Sequence, residues 1–249
     1  IYIMSPNVII MAGGLGKRME STLPKVLHKV LDKPMLVHVI ETALTLKPDN
    51  IFVIVGKYLS VIGDTLNEYG VLKYVKFVHQ AEALGTGHAI QCCREHIKDL
   101  NSKVLILSGD VPLIKENTLL QMINKLDKAR IMTTILEEPY GYGRIIETNG
   151  IFSKIVEQKD ANEEELKCQK VNAGIYAFDS NILYKYLPYL SNDNAQKEYY
   201  LTDIVEIIKN NEHINIELFN MSKEQQIELT GVNTKQQLED LNKILSDII

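Results

Sequence analysis

The chain has 249 residues, 45% of them hydrophobic and 24% charged, with a formal net charge of −5. That acidic balance argues against a nucleic-acid or anionic-membrane surface as the main partner, and no apolar run approaches the roughly 18–20 residues that span a bilayer. Three cysteines (Cys92, Cys93 and Cys168), two of them adjacent, fit neither a disulfide framework nor a zinc spacing. The opening Ile1-Tyr2-Ile3-Met4-Ser5-Pro6 lacks the basic stretch and cleavage site of a signal peptide, so the expected location is the cytoplasm.

Residues 7–11 are a short apolar run ending on a glycine-rich loop, the pattern of a buried strand. Apolar Met35, Leu36, Val39, Ile40, Ala43 and Leu44 then recur at helical spacing over residues 34–46, with Pro34 suited to the first turn. A strand at 51–55, a helix at 59–69, a strand at 75–79, a helix at 86–97 and a strand at 104–107 continue the alternation. The last of these runs straight into Ser108-Gly109-Asp110. Such alternation predicts right-handed βαβ units in a mostly parallel sheet, whose ligands lie outside the carboxyl ends of the strands. There the loops 12–18, 80–86 and 109–110 would converge.

After a helix at 116–126 the pattern loosens. Strands are expected at 131–136, 144–147, 152–157 and 171–178, with a more antiparallel character. A helix capped by Ser180 should run to about 190, another from 199 to 209, and a late strand over 214–218. Thr234, with Gln237 at capping-box spacing, opens a final helix whose stripe is Leu238, Leu241, Leu245 and Ile248. The fold class expected is α/β: a Rossmann-like, mostly parallel sheet flanked by helices, with a smaller β-rich lobe.

Met11-Ala12-Gly13-Gly14-Leu15-Gly16-Lys17-Arg18-Met19 is the first chemical signal. Glycines after a strand let backbone N–H groups approach a polyphosphate, and Lys17 and Arg18 add positive charge. The loop is not a dinucleotide fingerprint, since Met19 stands where the last glycine is needed. Nor is it a P-loop, since Arg18 stands where Ser or Thr is needed. A tight turn without a ligand fits the loop alone equally well. Leu23-Pro24-Lys25 follows, and proline stiffens the segment that carries the lysine.

Together these two blocks resemble the signature of the sugar-nucleotidyltransferase superfamily. More narrowly, Gln80-Ala81-Glu82-Ala83-Leu84-Gly85-Thr86-Gly87-His88-Ala89 resembles the N-acetylglucosamine-1-phosphate uridyltransferases, as do Gly109-Asp110-Val111-Pro112, Gly141-Tyr142-Gly143-Arg144, Ile155-Val156-Glu157-Gln158-Lys159-Asp160-Ala161, Asn194-Ala195-Gln196-Lys197-Glu198-Tyr199-Tyr200-Leu201-Thr202-Asp203 and Gly231-Val232-Asn233. The blocks keep the family's order from residue 9 to about 235. The resemblance implies a nucleotide-diphospho-sugar transferase fold over residues 5–233, with a nucleotide half at 5–115, a sugar half at 116–233 and a C-terminal helix over 234–249.

What it further implies is attack of N-acetylglucosamine 1-phosphate on the α-phosphorus of UTP, with Mg²⁺ as cofactor and UDP-N-acetylglucosamine and pyrophosphate as products. A phosphate monoester, with its second pKa near about 6, is already largely anionic at neutral pH, so no general base is required. The resemblance gives Arg18 and Lys25 catalytic roles, and Met11, Ala12, Gly13, Gly14, Lys25, Gln80, Gly85 and Thr86 contacts to the nucleotide. Thr86, Gly143, Glu157 and Asn172 would bind the sugar, and Asp110 and Asn233 the metal. Residue type alone leaves other roles open: an Asx-turn for Asp110, helix entry for Asn233, a turn for Gly143, a solvated strand charge for Glu157 and a strand-edge amide for Asn172. A glutamine amide suits a pyrimidine edge but can flip, so Gln80 by itself does not separate uracil from cytosine. The six histidines show no metal spacing and receive no role. Tyr199 and Tyr200 are expected to pack at the start of a helix.

Bacterial family members often carry a C-terminal β-helix of hexapeptide repeats that acetylates glucosamine 1-phosphate. No such repeat occurs in these residues, so neither acetyltransfer nor β-helix-driven trimerisation is expected of them. Lys17 stands where the family usually has Thr and Lys197 where it usually has Gly, while Gly13 follows the wider superfamily. Two rival readings are a pyrophosphorylase for glucose 1-phosphate and a silent nucleotide-sugar-binding module. Lys25, Asp110 and Asn233 favour turnover, because binding alone has no need of a metal pair.

Overall fold

Successive side chains of a strand point to opposite faces, and the apolar runs of this chain use both. Val8 and Ile10 of β1 (Asn7–Met11) enter one core, while Ile9 enters another. The computed structural model describes residues 5–14 and 16–247. After β1 come the short ribbon strands β2 (Lys29–Val30) and β3 (Lys33–Pro34), then α1 (Met35–Thr45), β4 (Asn50–Val55), α2 (Leu59–Glu68), β5 (Val75–His79), α3 (Thr86–Cys92) and β6 (Lys103–Ser108). The second half adds α4 (Glu116–Ile123), β7 (Ala129–Ile135), β8 (Arg144–Thr148), β9 (Ile151–Val156), α5 (Glu163–Leu166) and β10 (Lys170–Asp179). It closes with α6 (Ser180–Tyr186), α7 (Asp203–Glu212), β11 (Glu217–Asn220) and α8 (Lys235–Ser246).

One nine-stranded sheet runs β11-β7-β10-β6-β1-β4-β5, with β8 and β9 branching from β10. The pairs β5–β4, β4–β1, β1–β6 and β7–β11 are parallel, and β10 is antiparallel to β6, β7 and β8. One reversed strand therefore joins two parallel sets, which explains the antiparallel look of the second half. Helices α1, α2 and α4 cover one face through Ile40, Ile62 and Leu119; α3, α6 and α7 cover the other through Ile90, Leu183 and Ile204. A third, small core joins Met19, Val30 and Met35 to Val232 and to Leu241 of α8. Among the described residues no helix is long and apolar enough to cross a membrane.

Several element boundaries differ from the sequence expectation. Pro34 precedes α1 rather than lying in its first turn. The helix expected over 86–97 ends at Cys92, because Cys93, Arg94 and His96 bond three residues back rather than four. The helix expected over 116–126 ends at Ile123, where the Arg130 guanidinium takes the carbonyls of Gln121 (2.6 Å), Met122 (2.9 Å) and Asn124 (3.0 Å). Asp179, not Ser180, caps α6, accepting from Ile182 N–H. The helix expected from Tyr199 starts at Asp203, since Tyr199 N–H donates to Leu84 O (2.8 Å) and Tyr199 O accepts from Gly87 N–H (2.7 Å). The late strand begins at Glu217 rather than at 214. Thr234 does cap α8, but Gln237 accepts from Asn233 N–H (2.7 Å) instead of closing the box on Thr234. Ile248, the last member of the expected stripe, lies outside the described residues.

Candidate active site

The carboxyl ends of β1, β4, β5 and β6 lie along one edge of the sheet, and between β1 and β6 the winding reverses, β1 leading on to β4 on one side and β6 to β7 on the other. Two adjoining cavities lie there. One, of about 590 Å³, is lined by Met11, Ala12, Gly13, Gly14, Lys25, Gln80, Gly85 and Thr86 among others. The second, of about 350 Å³, is lined by Gly143, Glu157, Asn172 and Asn233, with Tyr142, Tyr176 and Thr202. Met11, Thr86, Ser108 and Asp110 line both, so they form the seam between the cavities.

Gly16 sets the course of the glycine loop. Its φ of +59° suits glycine, and a Cβ there would lie 2.8 Å from Lys25 Cβ. That close approach brings Lys25 to the seam, where its ammonium donates to Asp110 Oδ2 and to Asn233 Oδ1 (2.9 Å). Arg18 Nη2 reaches the same Asn233 oxygen at 3.1 Å. Asp110 is held on its other side by Ser108 Oγ, which donates to Oδ1 at 2.5 Å, and its backbone carbonyl accepts from Val232 N–H at 3.0 Å. Residues 85 and 208 positions away from Lys25 thus converge on one cation.

The loop after β5 is fixed by backbone. Gly85 has φ of +111°, and a Cβ there would meet Tyr199 O at 2.5 Å, so only glycine lets the 199 segment pair with it. Thr86 Oγ1 accepts from Leu201 N–H (3.0 Å), tying the same two segments. Gln80 is buried at the cavity wall, bonded to Gly85 O and to the His88 ring.

In the smaller cavity Glu157 is not a solvated strand charge. Thr202 Oγ1 donates to its Oε1 at 2.9 Å, and burial pushes its carboxyl above the usual range, with Asp160 and Glu198 adding repulsion against the Thr202 bond. Asn172 donates from Nδ2 to Tyr176 Oη (2.6 Å) and accepts from Gly174 N–H (3.1 Å), while its own N–H donates to Gly143 O (2.9 Å). Burial pushes the Tyr142 and Tyr176 phenols up, aided by Asp110 and Glu157 respectively, so both remain protonated donors. Tyr200, expected to pack, is buried and donates to Asp160 Oδ2 at 3.1 Å. The structure brings Lys25 and every residue expected to contact nucleotide, sugar or metal to these two cavities, whereas Arg18 reaches the seam only through Asn233. Ser108, Tyr142, Tyr176, Thr202 and His88 went unflagged as side chains, because no local spacing marks them.

These features define a two-pocket site with a lysine and hard oxygen donors at the junction. The sequence matches the family described as nucleotidyl transferase over residues 7–223, and the chain belongs to it. It is 42% identical over 242 residues to an Acanthamoeba polyphaga mimivirus protein named "Probable UDP-N-acetylglucosamine pyrophosphorylase", covering 95% of each. It is 44% identical over 245 residues to the "Bifunctional protein GlmU" of Clostridium botulinum (strain Eklund 17B / Type B), covering 97% of this chain and 52% of that protein. The chain thus spans about half the length of the bifunctional relative. In fold it is similar to the crystal structure of a UDP-glucose pyrophosphorylase complexed with UDP-glucose. The TM-score is 0.74 at 17% identity, over 99% of this chain and 100% of that one.

Proposed function

We propose that this chain is a UDP-N-acetylglucosamine pyrophosphorylase, forming UDP-N-acetylglucosamine and pyrophosphate from UTP and N-acetylglucosamine 1-phosphate. The observation that carries the reading is the seam: Lys25, Asp110 and Asn233 meet where a cavity walled by the glycine loop adjoins one walled by a buried carboxylate and an amide. The larger cavity takes UTP, with Ala12, Gly13, Gly14, Gln80, Gly85 and Thr86 around it. The smaller takes the amino sugar, with Glu157 and Asn172 as partners for hydroxyl and acetamide groups. The three cysteines are free, in keeping with a reducing cytoplasm.

Asp110 Oδ2 and Asn233 Oδ1 share one bound ammonium, so they already form a binding point for a cation. A carboxylate and a carboxamide oxygen suit Mg²⁺, which typically takes one or two protein ligands and draws the rest from phosphate and water. Bound there, the metal would supply charge neutralisation to the phosphates. The chain's own residues do the remainder. Lys25 and Arg18 offset the repulsion between two phosphate groups brought together, and the two cavities hold nucleophile and electrophile in line. Since the attacking phosphate is already anionic, the site needs no proton acceptor. Asp110→Ala is expected to abolish pyrophosphate release while leaving the circular dichroism spectrum and melting temperature near wild type. Unchanged turnover would remove Asp110 from the seam's chemistry.

A further inference from the structure

We propose that Tyr176 is a further substrate contact, donating its phenol hydrogen to a hydroxyl of the sugar that in turn donates to Glu157. The inference rests on the reading that the sugar 1-phosphate occupies the smaller cavity.

A break in β10 sets up the donor. The register of β10 on β7 shifts between Asn172 and Tyr176, and Gly174, with φ of +72°, turns its N–H back to Asn172 Oδ1 (3.1 Å). A backbone N–H can only donate, so the amide atom facing Gly174 is the oxygen. The atom 2.6 Å from Tyr176 Oη is therefore Nδ2. An NH₂ group can only donate as well, so Oη accepts there and its own hydrogen points elsewhere. Among the described residues Asn172 is the one hydrogen-bond partner of that hydroxyl.

The Tyr176 ring is buried and stacks on Phe178, with centroids 6.0 Å apart. Its hydroxyl end is bonded to Asn172, and both residues line the same cavity as Glu157. Burial keeps the phenol protonated, and the Glu157 charge adds to that upward push. A buried donor without an acceptor is costly, and a sugar oxygen entering the cavity relieves it. Glu157 supplies the complementary acceptor: Oε1 takes one bond from Thr202, and the carboxylate has further lone pairs to offer. A hydroxyl both gives and takes a hydrogen bond, so one sugar hydroxyl matches the pair. An acetamide carbonyl, which only accepts, would leave Glu157 unmatched.

The test measures kcat/KM for N-acetylglucosamine 1-phosphate and for its 3-, 4- and 6-deoxy analogues, at saturating UTP, in wild type and in Tyr176→Phe. Phenylalanine keeps the ring against Phe178 and removes only the oxygen, so the melting temperature and the KM for UTP should stay near wild type. With the parent sugar phosphate the variant should lose about tenfold, mostly in KM. With the analogue that lacks the contacted hydroxyl, wild type and variant should be equal, because the hydrogen bond is missing from both. Binding of UDP-N-acetylglucosamine, read by titration calorimetry without turnover, should also weaken when Tyr176→Phe is added to Asn172→Ala. An unchanged Kd there would show that Oη acts only through Asn172 and would overturn the contact. So would a loss of equal size with the parent and every analogue, or no loss with the parent. Failure of the wild-type protein to use N-acetylglucosamine 1-phosphate would instead defeat the reading on which the inference rests.

Discussion

Lys25 is bonded to both oxygens proposed to hold a metal, and a single ammonium there occupies the place a divalent cation would take. The side chain is long and flexible, so it can leave that position for a phosphate oxygen once another cation holds Asp110 and Asn233. In the absence of nucleotide, lysine and a metal bound as proposed would therefore compete for the same donors. Lys25→Met should bind Mn²⁺ several-fold more tightly than wild type, read by the paramagnetic relaxation of water protons, while losing most of its turnover. Equal or weaker Mn²⁺ binding in the variant would show that the two cations do not share a site. The same scale bears on a departure from the pattern the resemblance implies. Lys197, where that pattern has glycine, has φ of +55°, a conformation glycine adopts without penalty. The backbone accounts for the expected glycine, and nothing in the structure explains the lysine.

At the scale of elements, the start of α7 and the end of β9 bring carboxylates together. Thr202 and Glu157 are bonded across this junction, and Asp203, Asp160, Glu198 and Glu206 lie around it. Burial, then Glu157, Glu206 and Asp160, pushes the Asp203 carboxyl from its ordinary 3.8 to about 6. Folded protein thus holds that proton more tightly than unfolded chain. The resulting stability is fully present below the ordinary value and is lost as pH rises through about 6. Asp203→Asn should accordingly raise the melting temperature at neutral and mildly alkaline pH and leave it nearly unchanged in acid near the ordinary value. A gain of equal size at both ends, or none at either, would contradict this. Elements here were the least legible in the sequence. Tyr199 looks helical by local pattern, but its backbone is committed to Leu84 and Gly87, more than a hundred residues earlier. Likewise the helix after Glu116 stops where Arg130, on a later strand, takes its carbonyls.

For the molecule as a whole, the alternation of apolar runs and helical patterns made the first four parallel strands legible: β1, β4 and β6 are buried on both faces, and the edge strand β5 still carries apolar Val75, Phe77 and Val78. The direction of β10 between two parallel sets was not, since strand direction is set by distant pairing rather than by local pattern. The site divides in the same way. Lys25, Asp110 and Asn233 stand in blocks that resemble a family, and the fold supplies the convergence that no spacing encodes. Thr202 is bonded to Glu157, a partner that only the fold brings near, whereas Ser108 and His88 lie close in sequence to Asp110 and Gln80 and residue type alone does not show their bonds. The C-terminal helix adds to this closure: Leu241 packs with Met19 and Val232, next to the glycine loop and to Asn233, and so joins the chain's two ends behind the seam. We propose that two substrates meet there and that a nucleotidyl group passes from one to the other. Pyrophosphate release is to be measured across a matrix of nucleoside triphosphates and sugar 1-phosphates, with and without Mg²⁺. Turnover is expected to depend on Mg²⁺ and to be highest with UTP and N-acetylglucosamine 1-phosphate. Absence of turnover with every pair would contradict the enzyme reading, and strong turnover with glucose 1-phosphate but not its N-acetylamino counterpart would contradict the assigned sugar.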